Sequence, residues 1–355
     1  MTEIQVISID GMGGDDGAQM VVAGIERYAK TDPNTRFLVF GDEVVLKPLL
    51  AATEHAKART EIRHAAKSVA MDAKPAQAVR QGKGTSMWGA IEAVKKGEAS
   101  AVVSAGNTGA LMAMAKLILR TMEGIHRPAL CASWPTAKGM SAVLDLGADI
   151  TADAEQLAEF AIMGEAFAKA VHHKENPSIG LLNIGSEDMK GNDTLRYAAS
   201  LLSNDDLTIN YTGFLEGNDI SFGGADVIVT DGFTGNVALK TAEGAAGLIA
   251  QLLKTYLKGS VFGMLGGMIA TPALKRLKDR IDPRRVNGAV FLGLKGIVVK
   301  SHGGTDPYGY EQAIRVAVDM GSCHFAEFIE PSLAQLKLVV EATEKKNLSA
   351  TEAAE

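Results

Sequence analysis

The stretch IVTDGFTGNVALK, Ile228 to Lys240, decides the fold, because an apolar strand ends there in an acid-glycine turn and a helix follows at once. Ile228 and Val229 read as the end of a buried strand, Asp231, Gly232, Thr234, Gly235 and Asn236 as a short polar loop, and the helix is predicted from Val237. Backbone N–H groups in so small a turn can approach an anion, and the new helix adds unpaired donors and a positive dipole end. Taken alone, the segment reads equally well as a structural turn, with glycines for tight φ/ψ and Thr234 as a simple N-cap.

Working outward, the same grammar recurs. Short β-branched runs alternate with helical-period segments, the signature of a parallel sheet covered on both faces. Strands are predicted at Ile4 to Ile9, Phe37 to Phe40, near Ile62, Val102 to Ser104, Ile179 to Gly185, Leu207 to Tyr211, Val290 to Leu292 and Ile297 to Val299. Ala129 to Leu146 reads as an antiparallel hairpin turning at Ala137-Lys138-Gly139. No repeat or low-complexity linker divides the 355 residues, so one large α/β catalytic domain is expected over residues 1–341, followed by a fraying tail from Ala342.

Five strand ends carry small polar loops: DGMGGD from Asp10, SAGNTG from Ser104, GSEDMKGN from Gly185, TDGFTGN from Thr230 and SHGGTD from Ser301. In a parallel sheet such ends gather on one edge, where ligands bind. Asp10, Gly13, Gly14, Asp15, Ser104, Asn107, Thr108, Lys190, Asn192, Asp231, Gly232, Thr234, Gly235, Asn236 and His302 are therefore expected in one site. The mixture of amides, hydroxyls and a cation suits an oxyanion beside a carbonyl group.

Composition removes several classes. A net charge of −6 and a pI near 5.7 argue against nucleic-acid binding, which needs a positive field. Cys131 and Cys323 lie far apart without metal or CxxC spacing and read as free thiols of a reducing compartment. MTEIQVISID enters a strand with no leader pattern, so a cytoplasmic protein is expected. The glycines at 11, 13, 14 and 17 miss the GxGxxG dinucleotide fingerprint, and no P-loop, HExxH or GxSxG is present. His172 and His173, beside Lys174 at a helix end, read as solvated charge near the dipole. A reaction without a protein nucleophile fits best: phosphate can attack a thioester if donors stabilise the oxyanion, one such donor being worth ~3 kcal/mol.

With DGMGGD, SAGNTGALM (Ser104 to Met112), RPAL (Arg127 to Leu130), LDLGA (Leu144 to Ala148), LLNIGSEDMKGN, ADVIVTDGFTGNVALKTAEG (Ala225 to Gly244) and GLKGIVVKSHG in this order, the chain resembles the PlsX phosphate acyltransferases of bacterial phospholipid synthesis over about residues 4–320. Gly11, Asp149 and Asn287 depart from that pattern, where alanine, asparagine and glycine are expected. The resemblance implies transfer of a long fatty acyl group from acyl carrier protein to inorganic phosphate, a homodimer, no cofactor or metal, and a downstream membrane glycerol-3-phosphate acyltransferase that takes the acyl phosphate. It also implies a three-layer α/β/α sandwich with a mostly parallel sheet, similar to isopropylmalate dehydrogenase and phosphotransacetylase.

On these grounds Gly232 to Asn236 with Thr234 are expected to hold phosphate, Lys190 to neutralise it, and Asn107 or Asn236 to donate to the thioester carbonyl. Asp10 and Asp231 are expected to orient amides, and His302 either to meet the carbonyl or leaving thiolate or to be a turn residue. A coenzyme A-dependent small-acyl phosphotransacetylase, an NAD-dependent hydroxy-acid dehydrogenase and a non-catalytic membrane scaffold are the alternatives. Finally, Gly259 to Leu274 lacks any charge and precedes a basic run from Lys275 to Arg285. This predicts a protruding helical hairpin over 245–285 for dimer contact, with Val261, Phe262, Met264 and Leu265 at a tip that meets an anionic membrane surface.

Overall fold

Short, mostly apolar runs build eleven strands of one sheet in the computed structural model, which describes residues 4–187, 189–323 and 325–352. They are β1 (Val6–Asp10), β2 (Arg36–Gly41), β3 (Thr60–His64), β4 (Ala101–Ser104), β5 (Ala129–Thr136), β6 (Gly139–Leu144), β7 (Ile179–Leu182), β8 (Tyr211–Leu215), β9 (Val227–Val229), β10 (Ala289–Leu292) and β11 (Ile297–Lys300). Between them lie α1 (Gly17–Thr31), α2 (Glu43–Ala51), α3 (Pro75–Gln81), α4 (Ser86–Lys95), α5 (Thr108–Leu119), α6 (Ala154–His172), α7 (Asp193–Leu202), α8 (Gly217–Phe222), α9 (Gly232–Lys258) and α10 (Val261–Arg280), followed by α11 (Pro307–Ser322) and α12 (Phe325–Glu352).

Helices cover both faces, giving the expected three layers. Val21 and Ile25 of α1, Phe160 and Phe167 of α6, Ile314 of α11 and Ile329 of α12 pack on one face. Ile91 of α4, Leu111 and Met114 of α5 and Ile220 of α8 pack on the other. Each such side chain contributes roughly 1.5–3 kcal/mol through burial.

Strand order is β3-β2-β1-β4-β11-β10-β5-β6-β9-β7-β8. From β3 to β11 all pairs are parallel, as are those from β6 to β8. β10 runs antiparallel to both neighbours, and β5 and β6 form the expected antiparallel hairpin. These reversals point the C-terminal ends of β1, β4 and β11 one way and those of β6, β7 and β9 the other. The expected gathering of five loops on one edge is thereby overturned: periodicity identifies a strand but carries no information about its direction.

Three local expectations are also corrected. The helix after β9 starts at Gly232 rather than Val237, since Asp231 caps it and the polar residues form its first turn. α12 continues past Ala342 to Glu352. His172 packs inward, its Nε2 2.7 Å from the Ser133 hydroxyl, and burial pushes its pKa down to about 4, so it is not a solvated charge. Cys131 and Cys323 are free thiols, as expected.

α9 and α10 form a helical hairpin over 232–280, beginning earlier than the expected 245–285 and ending before it. Past its first turn α9 buries no residue, and α10 buries none at all. Val261, Phe262, Met264 and Leu265 are exposed, Phe262 by 87%. Among the described residues no helix is long and apolar enough to cross a membrane.

Candidate functional site

The strand-end residues form two groups. At the ends of β1, β4 and β11, the Ser104 hydroxyl donates to Asp10 Oδ2 at 2.7 Å, and both residues are buried. The Asp15 amide donates to the Gly303 carbonyl at 3.0 Å, locking the first loop to the last. Gly13 belongs to this interlock, because a Cβ there would lie 2.7 Å from the Gly106 nitrogen. Gly14 lies against Ala105 and the Gly303 carbonyl in the same way. Asn107 caps α5 by accepting from the Ala110 amide, and its Nδ2 donates to the carbonyls of Met71 and Ala73. Its side-chain amide is thus hydrogen-bonded within the chain. Thr108 is the first residue of α5 and half-buried. His302 is exposed and its Nδ1 accepts from the Gly304 amide at 3.2 Å, while Asn287 Oδ1 accepts from the His302 amide.

Beneath these loops lies Lys300, which the sequence reading missed. Its ammonium donates to the carbonyls of Ala105 and Ser301 and has no carboxylate within ion-pair distance among the described residues. Burial pushes its pKa down to about 8, against the opposing fields of Asp10 and Asp15. Burial likewise raises the Asp10 carboxyl, with the hydrogen bond from Ser104 opposing it. A lysine ending a strand of β-branched residues carries no sequence signal that separates it from a solvated one.

At the ends of β6, β7 and β9 lies the second group. Asp231 Oδ1 accepts from the Thr234 amide at 2.9 Å and Oδ2 accepts from its hydroxyl at 2.7 Å, so a carboxylate already occupies the anion position at this helix start. The turn expected to cradle phosphate over Gly232 to Asn236 thus has its Thr234 amide and hydroxyl bonded within the chain. Its glycines serve packing: a Cβ on Gly232 would lie 2.0 Å from the Asp149 carbonyl oxygen, and one on Gly235 1.9 Å from that of Asp145. Asp145, missed as a key residue, is fully buried and accepts from the amides of Leu130, Gly147, Ala148 and Asp149. Burial raises its pKa to about 6 in spite of those bonds.

Asn192 caps α7 through the Leu195 amide, leaving its Nδ2 without a partner among the described residues. Lys190, two residues earlier, is exposed, and its carbonyl accepts from Asn183 Nδ2. Asn192, Asp231 and Thr234 line the mouth of a cleft of about 1190 Å³, whose walls include Trp134, Ile150, Leu182, Ile220, Phe233 and Val237. Asn236 stands outside it, exposed beside Gly147. Strand direction thus separates Lys190 and Asn192 from Asn107 and His302. No cluster of three or more metal-ligating side chains occurs among the described residues.

Residues 5–328 match the family model described as fatty acid synthesis protein. The chain is 53% identical to a phosphate acyltransferase of Caulobacter vibrioides over 95% of its length and 93% of that protein. It is 52% identical to one of Rhodospirillum rubrum, over 96% of this chain and 97% of the relative. Among solved structures, a phosphotransacetylase from Streptococcus pyogenes superposes with a TM-score of 0.61 at 19% identity, covering 89% of this chain and 94% of that one. A 4-hydroxythreonine-4-phosphate dehydrogenase from Klebsiella pneumoniae superposes with a TM-score of 0.52 at 12% identity, covering 91% and 99%, so these two share the fold. Chain-long identity of this order, carried by a shared architecture, has one consequence: the chain belongs to the fatty acid synthesis protein family, that of the PlsX phosphate acyltransferases.

Proposed function

We propose that this enzyme transfers a long-chain acyl group from acyl carrier protein to inorganic phosphate, at the mouth of the cleft between α7, α8 and α9. The observation that carries this reading is the junction of polar and apolar surface there: Asn183, Asn192 and Thr234 at one end of a largely apolar cleft. A thioester with a hydrocarbon tail has the same polarity. Lys190 and the first turn of α7 receive the phosphate, where unpaired helix amides add to the lysine charge. Asn192 Nδ2 donates to the thioester carbonyl. A phosphate oxygen then forms the new C–O bond, the C–S bond breaks, and the phosphate proton passes to the leaving thiolate. The nucleophile is the substrate, so no protein nucleophile is needed.

The exposed Lys275, Arg276 and Lys278 of α10 suit an acidic carrier protein. Exposed Leu248, Ile249, Leu252 and Leu253 of α9 suit a second copy of the chain, giving a homodimer. The α10 tip suits an anionic bilayer, which would hand acyl phosphate to a membrane glycerol-3-phosphate acyltransferase from the cytoplasmic side.

The deciding experiment incubates the protein with palmitoyl carrier protein and phosphate. Phosphate-dependent, hydroxylamine-sensitive acyl phosphate is the expected product. Turnover of acetyl-coenzyme A with none from the carrier thioester would instead establish the small-acyl reading, and no phosphate-dependent release of carrier protein would refute acyl transfer altogether.

A further inference from the structure

The cleft is much deeper than phosphate or a thioester head requires. Its volume of about 1190 Å³ exceeds the roughly 300–1,000 Å³ of ordinary ligand pockets. Along α9 its lining recurs at Thr234, Val237, Ala238, Thr241, Ala242 and Ala245, the spacing of a single helix face. Three of these six are alanines, so the face forms a groove rather than a ridge. Opposite them stand Trp134, Leu182 and Ile220. From Thr234 to Ala245 the helix rises about 16 Å at ~1.5 Å per residue. An extended chain advances ~3.6 Å per three bonds, so a hydrocarbon of about 13 bonds spans that distance. An acetyl group would leave nearly all of it to water.

We propose that this groove holds the acyl chain, its carbonyl end at Asn192 and Thr234 and its tail running along Ala238, Ala242 and Ala245, so that the far alanines set the accepted chain length. This rests on the acyl-transfer reading above. The occupant is a linear acyl chain because the lining is largely apolar, with Thr241 and Ser221 the polar interruptions along it, and its amides, Asn183 and Asn192, lie at the strand-end loop and helix start beside Thr234. Each methylene moved from water into such a lining strengthens binding by about fourfold.

The test compares octanoyl, lauroyl and palmitoyl carrier protein as donors for the wild type, Ala242→Phe and Ala245→Phe. Both positions are at least partly exposed on a helix surface, where a larger side chain is tolerated by the fold. Octanoyl transfer is expected to persist while palmitoyl transfer falls by about tenfold or more, as several methylenes lose their site. A second readout does not depend on turnover. Binding of a brominated palmitoyl chain should quench Trp134 fluorescence, persisting in Trp88→Phe and disappearing in Trp134→Phe. If octanoyl and palmitoyl rates fall by the same factor, or neither changes, the groove does not hold the chain. A change in oligomeric state with unaltered chain preference would assign the groove to a second copy and overturn the proposal. Wild-type turnover under the same conditions separates these outcomes from failure of the acyl-transfer reading itself.

Discussion

Asp231 holds both the amide and the hydroxyl of Thr234, at 2.9 and 2.7 Å. One amide of the first turn of α9 is therefore taken by a carboxylate of its own chain, and a dianion arriving there would meet a charge of its own sign. Lys190, on the loop before α7, brings a positive charge instead, with Glu187 beside it and Asp193 of the first turn paired to Arg196.

These two positions should separate on mutation. Lys190→Ala is expected to lower turnover about a hundredfold with unchanged circular dichroism, as for a group acting on bound or developing negative charge. Asp231→Ala should chiefly lower stability, by about 1 kcal/mol for a lost N-cap. Titration of phosphate against each variant checks the assignment: a phosphate KM raised by Asp231→Ala and untouched by Lys190→Ala would reverse it.

Gly235→Ala tests the packing role of the glycines. The added methyl would lie 1.9 Å from the Asp145 carbonyl oxygen, a backbone atom that cannot move without disturbing the turn through Asp149. Overpacking of this kind costs about 1–3 kcal/mol or more. The thermal midpoint should fall by several degrees, in contrast to Gly244→Ala, where the space is open. Equal midpoints would mean that the glycine is kept for a ligand.

Lys300 makes stability depend on pH in the alkaline range. Its folded-state pKa of about 8 lies below its ordinary 10.5, so between these values the unfolded chain binds more protons and stability rises with pH. Below pH 8 the buried charge opposes folding in full. Lys300→Met should abolish that contribution, so the stability difference between wild type and variant moves toward the wild type from pH 8 to pH 10.5. Urea unfolding of both proteins at a series of pH values measures it. Parallel curves would indicate a solvated ammonium.

The hairpin yields the fourth expectation. Phe262→Asp combined with Leu265→Asp should abolish sedimentation with anionic liposomes while the dimer and soluble activity persist, since both side chains are exposed in the single chain. Persistent lipid binding, or dissociation of the dimer, would reassign the tip to subunit contact.

The sequence by itself determined most of the elements and the two-sided burial, although the strand read at Leu207 to Tyr211 lies at Tyr211–Leu215. The apolar run Val227–Val229, helical spacing in α5 and the charge-free run from Gly259 express local hydrophobic patterning, which survives in any arrangement. It also marked the strand-end loops, because Asn107, Asn192 and Asp231 are polar residues at helix starts. Their shared role as N-caps, however, is the same signal that a ligand site would give. Only the tertiary structure decided which loops share an edge, because that depends on the antiparallel pairing of β10 with β5, a strand far away in sequence. The same holds for Lys300, Asp145 and the groove along α9. Burial of a lysine, convergence of four amides on one carboxylate, and a row of alanines facing Trp134 are properties of the packed chain that no local pattern encodes.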